Sequence, residues 1–128
     1  MKDSSQDPSE KKTILICDDQ RDFVSCCTLA LRSKFNVLKA FSGGECLSYF
    51  RESASGDEVP DVVLMDYQLG DMRADQVLEK MKLMGVRSPR TKILIISGMD
   101  ELSIPEVSEL RKPFSLEQLK KQIDSILR

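Results

Sequence analysis

The chain has 128 residues, a length suited to one domain with a core of its own. Its 19 basic and 21 acidic side chains leave a formal net charge of -2, which offers no broad positive surface for a phosphate backbone and argues against direct nucleic-acid binding. The longest apolar runs, TILIC, VVLM and ILII, are strand-length and far short of the ~20 residues that cross a bilayer, so a soluble protein with no membrane partner is expected.

The first ten residues, MKDSSQDPSE, are polar and contain no apolar core of a signal peptide. They are expected to form a disordered leader (1–10) ahead of one domain (11–128). Cys17, Cys26, Cys27 and Cys46 show no paired CxxC spacing, and the chain has no histidine, which disfavours zinc. Free thiols packed as small apolar residues in a reducing cytoplasm are the expectation.

Ile14 to Cys17 is the first of three short runs apolar at consecutive positions; Val62 to Met65 and Ile93 to Ile96 are the others. Such strands need cover on both faces, as in a parallel sheet between helices. A further strand, Phe35 to Ala40, is interrupted by Asn36 and Lys39, which suits a place nearer an edge. Between the strands the apolar period changes to about 3.6. Phe23, Cys27, Ala30 and Leu31 make one stripe; Cys46, Leu47, Phe50 and Ala54 make a second, with Ser42 and Glu45 spaced as a capping box. Gly43 and Gly44 weaken that second helix. Val77, Leu78, Met81 and Met84 form a third stripe, read as helix core and closed by Gly85. Ser115 and Gln118 cap the last helix, striped by Leu116, Leu119, Ile123 and Ile126.

Alternating strands and helices predict an α/β fold, a doubly wound sheet with right-handed crossovers and its chemistry beyond the carboxyl ends of the strands. Those positions hold Asp18 and Asp19, then Asp66, then Ser97, then Lys112 and Pro113 beyond a short final strand around Leu110. Clustered carboxylates repel unless a cation neutralises them, and an all-oxygen set suits Mg²⁺. A lysine and a hydroxyl at the same rim suit phosphoryl oxygens, and a carboxylate can itself be the nucleophile. Asp66, following VVLM in mid-sheet, is assigned that role.

The pieces ILICDD, VVLMD, ILIISG and LRKPF, in this order from Lys12 to Arg128, resemble the response-regulator receiver domain of two-component systems. The resemblance implies a flavodoxin-like five-stranded parallel sheet of order 2-1-3-4-5. It implies that Asp66 accepts phosphate from the phosphohistidine of a sensor histidine kinase or phosphotransfer protein. It further implies Mg²⁺ held by Asp18, Asp19, Asp66 and the main-chain carbonyl of Gln68, phosphoryl binding by Ser97 and Lys112, and a loop shaped by Pro113 with a cis bond before it. On this reading the chain catalyses only its own phosphorylation and dephosphorylation and is not a metabolic enzyme. With no effector domain expected after the last helix, the output is expected to pass to another protein or through a phosphorelay.

Two departures from the family pattern stand out. From Gly98 to Ser108 there are only 11 residues, interrupted by Pro105, and a crossover with its helix needs at least ~10–12. The fourth helix is therefore expected to be missing or reduced to one turn, around Asp100 to Ile104. Glu109 occupies the position of the family's aromatic switch residue, three before the lysine. Gly70 stands where a proline is common, and Ala74 where a glycine is.

Taken singly, Asp19 reads as a helix cap, Lys112 as a solvated charge and Ser97 as a turn residue. Their joint placement favours the acceptor site. The competing functions are a degenerate receiver that binds partners without phosphate and a Mg²⁺-dependent phosphohydrolase, which the presence of Gln68 two residues past Asp66 disfavours. A P-loop nucleotide site is a poor reading because SGGECL lacks the required lysine.

Overall fold

A computed structural model describes residues 11–53, 59–86, 88, 90–98 and 104–128. The expected leader, Ala54, and all of the expected turn at Asp100 to Ile104 except Ile104 lie outside them. Five strands, β1 (Lys12–Cys17), β2 (Phe35–Ala40), β3 (Val62–Asp66), β4 (Lys92–Ser97) and β5 (Ser108–Arg111), alternate with α1 (Arg21–Leu31), α2 (Gly43–Ser53), α3 (Ala74–Leu83) and α4 (Leu116–Leu127). The sheet is wholly parallel with order β2-β1-β3-β4-β5, as expected, and the interrupted strand β2 is at an edge.

The consecutive apolar runs lie buried on both faces. Ile14, Ile16, Val62, Leu64, Leu94 and Ile96 face α1 and α4, while Leu15, Cys17, Val63, Met65, Ile93 and Ile95 face α2 and α3. Each large side chain so buried stabilises the fold by roughly 1.5–3 kcal/mol, and these layers hold the strand ends in place. Among the described residues no helix lies between β4 and β5, and none is long and apolar enough to cross a membrane. Ile93 and Ile95 are nonetheless 3% and 0% exposed. Ile104 and Val107 pack against the same cluster and supply part of that cover from an irregular segment.

Several stripe positions are corrected. Val24 rather than Phe23 or Ala30 is the buried partner of Cys27 and Leu31, because α1 is rotated to seat Val24 on the sheet while Phe23 stands edge-on to Phe114. Met84 is 37% exposed because it is the C-cap of α3, past the last turn that meets the core; Met81 alone is helix core. Leu116, at the first turn of α4, is 38% exposed for the same reason of position, while Leu119 and Ile123 are buried. Cys26 is exposed, unlike the other three thiols, since it lies on the solvent side of α1.

The helix ends explain their own sequences. Ser115 and Gln118 exchange the two bonds of a capping box at α4. At α2 the Glu45 N–H donates to Ser42 Oγ at 3.0 Å, but the Glu45 carboxylate accepts from Phe41, one residue earlier than a capping box requires. At the end of α3, Gly85 has φ +70, its N–H donates to Lys82 O, and Val86 N–H donates to Met81 O, a Schellman motif. Nothing lies near the position of an added Cβ at Gly85, so an alanine there meets only the left-handed backbone penalty. Gly85→Ala is expected to lower stability by about 1 kcal/mol, read as a lower urea midpoint with unchanged slope.

Candidate functional site

The strand register sets the site. Cys17 of β1 lies opposite Met65 of β3, Asp66 opposite Ile96 of β4, and Ser97 opposite Arg111 of β5. The residues that follow, Asp18 and Lys112, therefore emerge at the same rim as Asp66 and Ser97. Asp18 N–H still donates to Ala40 O at 3.0 Å, and Lys112 N–H to Ser97 O at 2.8 Å, so both backbones are held by the sheet.

Asp18 is 1% exposed. Its Oδ1 accepts the Gln20 N–H at 2.8 Å and so shapes the turn into α1, where Gln20 is the N-cap and no side chain caps the amides. The capping alternative for Asp19 is thus not observed. Asp18 Oδ2 is buried without a hydrogen-bond partner. One oxygen each from Asp18, Asp19 and Asp66 lie within 4.8 Å of one another. Burial pushes the Asp18 carboxyl up to about 6, with Asp66 and Asp19 adding to the rise and the Gln20 amide and Lys112 opposing it. Asp66 is also raised, first by burial and then by Asp19, against the Lys112 ammonium and the Gln68 amide.

Lys112 is no free surface charge: its Nζ stands 3.6 Å from Asp66 Oδ1, although its side chain is 43% exposed. Ser97 is buried at the end of β4. The Lys112-Pro113 peptide bond is cis. Gln68 follows Asp66 by two residues, donates its N–H to the Asp66 carboxylate, and pairs with Arg73 in an antiparallel bridge across the loop. Glu109, half-buried in β5 opposite Ile95, sits two residues below the Ser97 level. It lies within the strand and not at the rim.

An orphaned, buried carboxylate oxygen beside two further carboxylates fits a hard divalent cation. Among the described residues nothing satisfies Asp18 Oδ2, and oxygen-only ligands suit Mg²⁺ better than softer metals. The sequence reading missed Asp71. Its two oxygens accept the N–H groups of Gly43 and Gly44 at 2.8 and 2.9 Å, joining the loop after β3 to the start of α2. The paired glycines were the available signal, but their partner lies 28 residues away and no local pattern links them.

A doubly wound parallel sheet carrying three carboxylates, a hydroxyl and a lysine at one rim defines a receiver-type signalling domain. The chain belongs to the response regulator receiver domain family, whose family model matches residues 14–124. It is 27% identical over 124 residues to a Mycobacterium tuberculosis protein named as the probable transcriptional regulatory protein TcrX, covering 91% of this chain and 50% of that one. A Haloferax volcanii relative is 25% identical over 128 residues, covering 98% of this chain and 21% of its own length. The chain thus spans half or less of the curated relatives it matches. Among solved structures, a CheY-like response regulator receiver domain protein from Methanospirillum hungatei aligns at TM-score 0.75 with 25% identity, covering 92% of this chain and 94% of that one. The receiver domain of the hybrid histidine kinase CckA shares the fold at TM-score 0.76 and 24% identity, with 91% and 99% covered.

The raised Asp18 carboxyl makes a signed prediction for the metal-free protein. A folded-state value of about 6 against an ordinary 3.8 means that the stability linked to this proton is present below the ordinary value and lost as pH rises through about 6. Asp18→Asn removes the charge, so thermal melts in chelator at pH 7 should show a gain on the order of 2 kcal/mol that fades toward pH 4. An equal gain at both pH values would contradict the assignment.

Proposed function

We propose that the chain is a phosphoacceptor signalling module in which Asp66 is the nucleophile. The observation that carries this reading is the buried, unpartnered Asp18 Oδ2 within reach of Asp19 and Asp66. The donor is a phosphohistidine on a sensor histidine kinase or phosphotransfer protein. A carboxylate oxygen of Asp66 bonds to phosphorus as the phosphorus–nitrogen bond breaks, and the imidazole leaves with that electron pair, giving an acyl phosphate.

Asp18, Asp19, Asp66 and the Gln68 carbonyl are the residues assigned to Mg²⁺. Bound there, the ion would neutralise the carboxylates and stabilise charge on a phosphoryl oxygen. The chain's own groups do the rest. Lys112, 3.6 Å from Asp66, holds the nucleophile beforehand and shifts to a phosphoryl oxygen as charge moves outward. The Ser97 hydroxyl, at the adjacent strand end, donates to another. Pro113 shapes the loop that presents Lys112. Return of the phosphoryl group to water is the only other reaction assigned, so the chain is a signalling protein and not a metabolic enzyme, acting in the cytoplasm through contacts with an effector protein.

Mg²⁺ and acetyl phosphate should add the mass of one phosphoryl group to the intact protein, and Asp66→Asn should abolish the adduct. No adduct on the unaltered chain, or one that survives Asp66→Asn, would favour a phosphate-independent interaction module. Lys112→Ala should cut the rate of adduct formation by about 10²-fold or more, as for loss of a positioned charge-stabilising donor.

The output is assigned to a surface other than the face a fourth helix would build, because no such helix is found among the described residues and Glu109 replaces the switch aromatic. Hydrogen exchange with and without the adduct should show protection changes beyond β5 and α4. Changes confined to those two elements would sink this assignment.

A further inference from the structure

The loop between β3 and α3 is a small closed hairpin with two tip residues, Gly70 and Asp71. Tyr67 N–H donates to Ile96 O at 2.8 Å and Ala74 N–H to Tyr67 O at 2.8 Å, fastening the base; Gln68 bridges Arg73, and Leu69 N–H donates to Met72 O at 3.0 Å. Leu69 is buried at 1% exposure and anchors the middle of the hairpin in the core. The base and middle are therefore fixed by the sheet and the core. The tip is not, since neither of its residues contributes an apolar side chain.

Contacts at the tip run in two directions. Gly70 has φ +86 and lies beside Asp19, whose Oδ2 is 3.1 Å from where a Cβ on Gly70 would be. Asp71 turns the other way and takes the Gly43 and Gly44 amides of α2 on its two oxygens. The same first turn of α2 meets the hairpin through Met72, whose Cγ and Sδ occupy the space a Cβ on Gly43 would need. Asp71 carries its charge readily in this place: slight burial raises its carboxyl, but the Gly43 and Gly44 amides outweigh that and hold it below the ordinary range. Asp19 is itself exposed and does not cap α1, and its carboxylate lies beside the backbone of Gly70.

We propose that Asp71 is a positioning residue for the acceptor site: a strut from α2 to the hairpin tip that keeps Gly70 against Asp19 and thereby sets the affinity of the acidic cluster for Mg²⁺. The proposal rests on the acceptor reading above. It makes the start of α2 part of the metal site's outer support, although no residue of α2 reaches the rim. Glycine at 70 makes the strut necessary, because a residue with such backbone freedom does not hold a tip in place by itself.

Titration with Mg²⁺ alone, followed by calorimetry, tests the strut apart from phosphorylation. Asp71→Ala should weaken Mg²⁺ binding by about 10-fold, the loss usual when an outer partner of a ligand is removed. Asp71→Asn, which keeps one acceptor oxygen, should fall between the two. The Mg²⁺ concentration giving half-maximal phosphorylation by acetyl phosphate should rise in parallel, while the rate at saturating Mg²⁺ changes less than about twofold. Gly85→Ala serves as the control, weakening a remote helix end without touching the hairpin. If Gly85→Ala lowers Mg²⁺ affinity as much as Asp71→Ala does, the effect is general loosening and the proposal is overturned. Unchanged affinity in Asp71→Ala, beside normal binding by the unaltered chain, overturns the strut and leaves the acceptor reading standing. Absence of Mg²⁺ binding by the unaltered chain overturns both.

Discussion

The site depends on one electrostatic conflict held in place by the sheet. Asp18 and Asp66 are buried at neighbouring strand ends, Asp19 adds a third carboxylate, and one oxygen of Asp18 has no partner. Water would relieve such a cluster if the strands could part. They cannot, because each strand end is clamped by parallel ladders and by two apolar layers that cover both faces. Burial first, and the neighbouring carboxylates after it, raise the proton affinity of Asp18 and Asp66. Lys112 balances one charge of the three, so the cluster keeps a net negative rim.

Among the described residues no helix covers the sheet between β4 and β5. A helix there would cover Ile93 and Ile95, yet both stay buried, with Ile104 and Val107 packed against their cluster. Apolar side chains from an irregular segment can replace the helix as cover because burial depends on the area removed from water and not on the secondary structure that removes it. What such a segment does not reproduce is a regular outer face. The carboxylate rim, built from the ends of β1, β3 and β4 and the residue after β5, does not draw on that face.

Much of this was legible from local pattern. Runs such as VVLM and ILII are apolar at every position because both sheet faces are covered, and the interruption at Asn36 and Lys39 marked β2 as an edge strand. The Gly85 helix end was readable because a left-handed residue there has few substitutes. Helix faces were less legible. Period alone chose Phe23 and, beside the correctly placed Met81, Met84 for the core, whereas Val24 takes the place of Phe23 and Met84 is exposed, since the rotation of a helix and the level at which it leaves the sheet are fixed by what it packs on. Cys26 was misjudged for the same reason.

The residues of the candidate site could be named from the chain because doubly wound sheets carry their chemistry at strand ends, and most strand ends are visible as the point where an apolar run stops. Order and residue type were thus settled by sequence: Asp18, Asp19, Asp66 and Ser97 follow or close such a run, and Lys112 follows the short, mostly polar β5. Only the tertiary structure decided which oxygen is left without a partner, how near Lys112 stands to Asp66, and that Asp71 ties a loop to a helix that begins 28 residues earlier. Those facts depend on register and on the approach of distant backbones. Such approaches are set by the packing of whole layers, a property that no local window of residues contains.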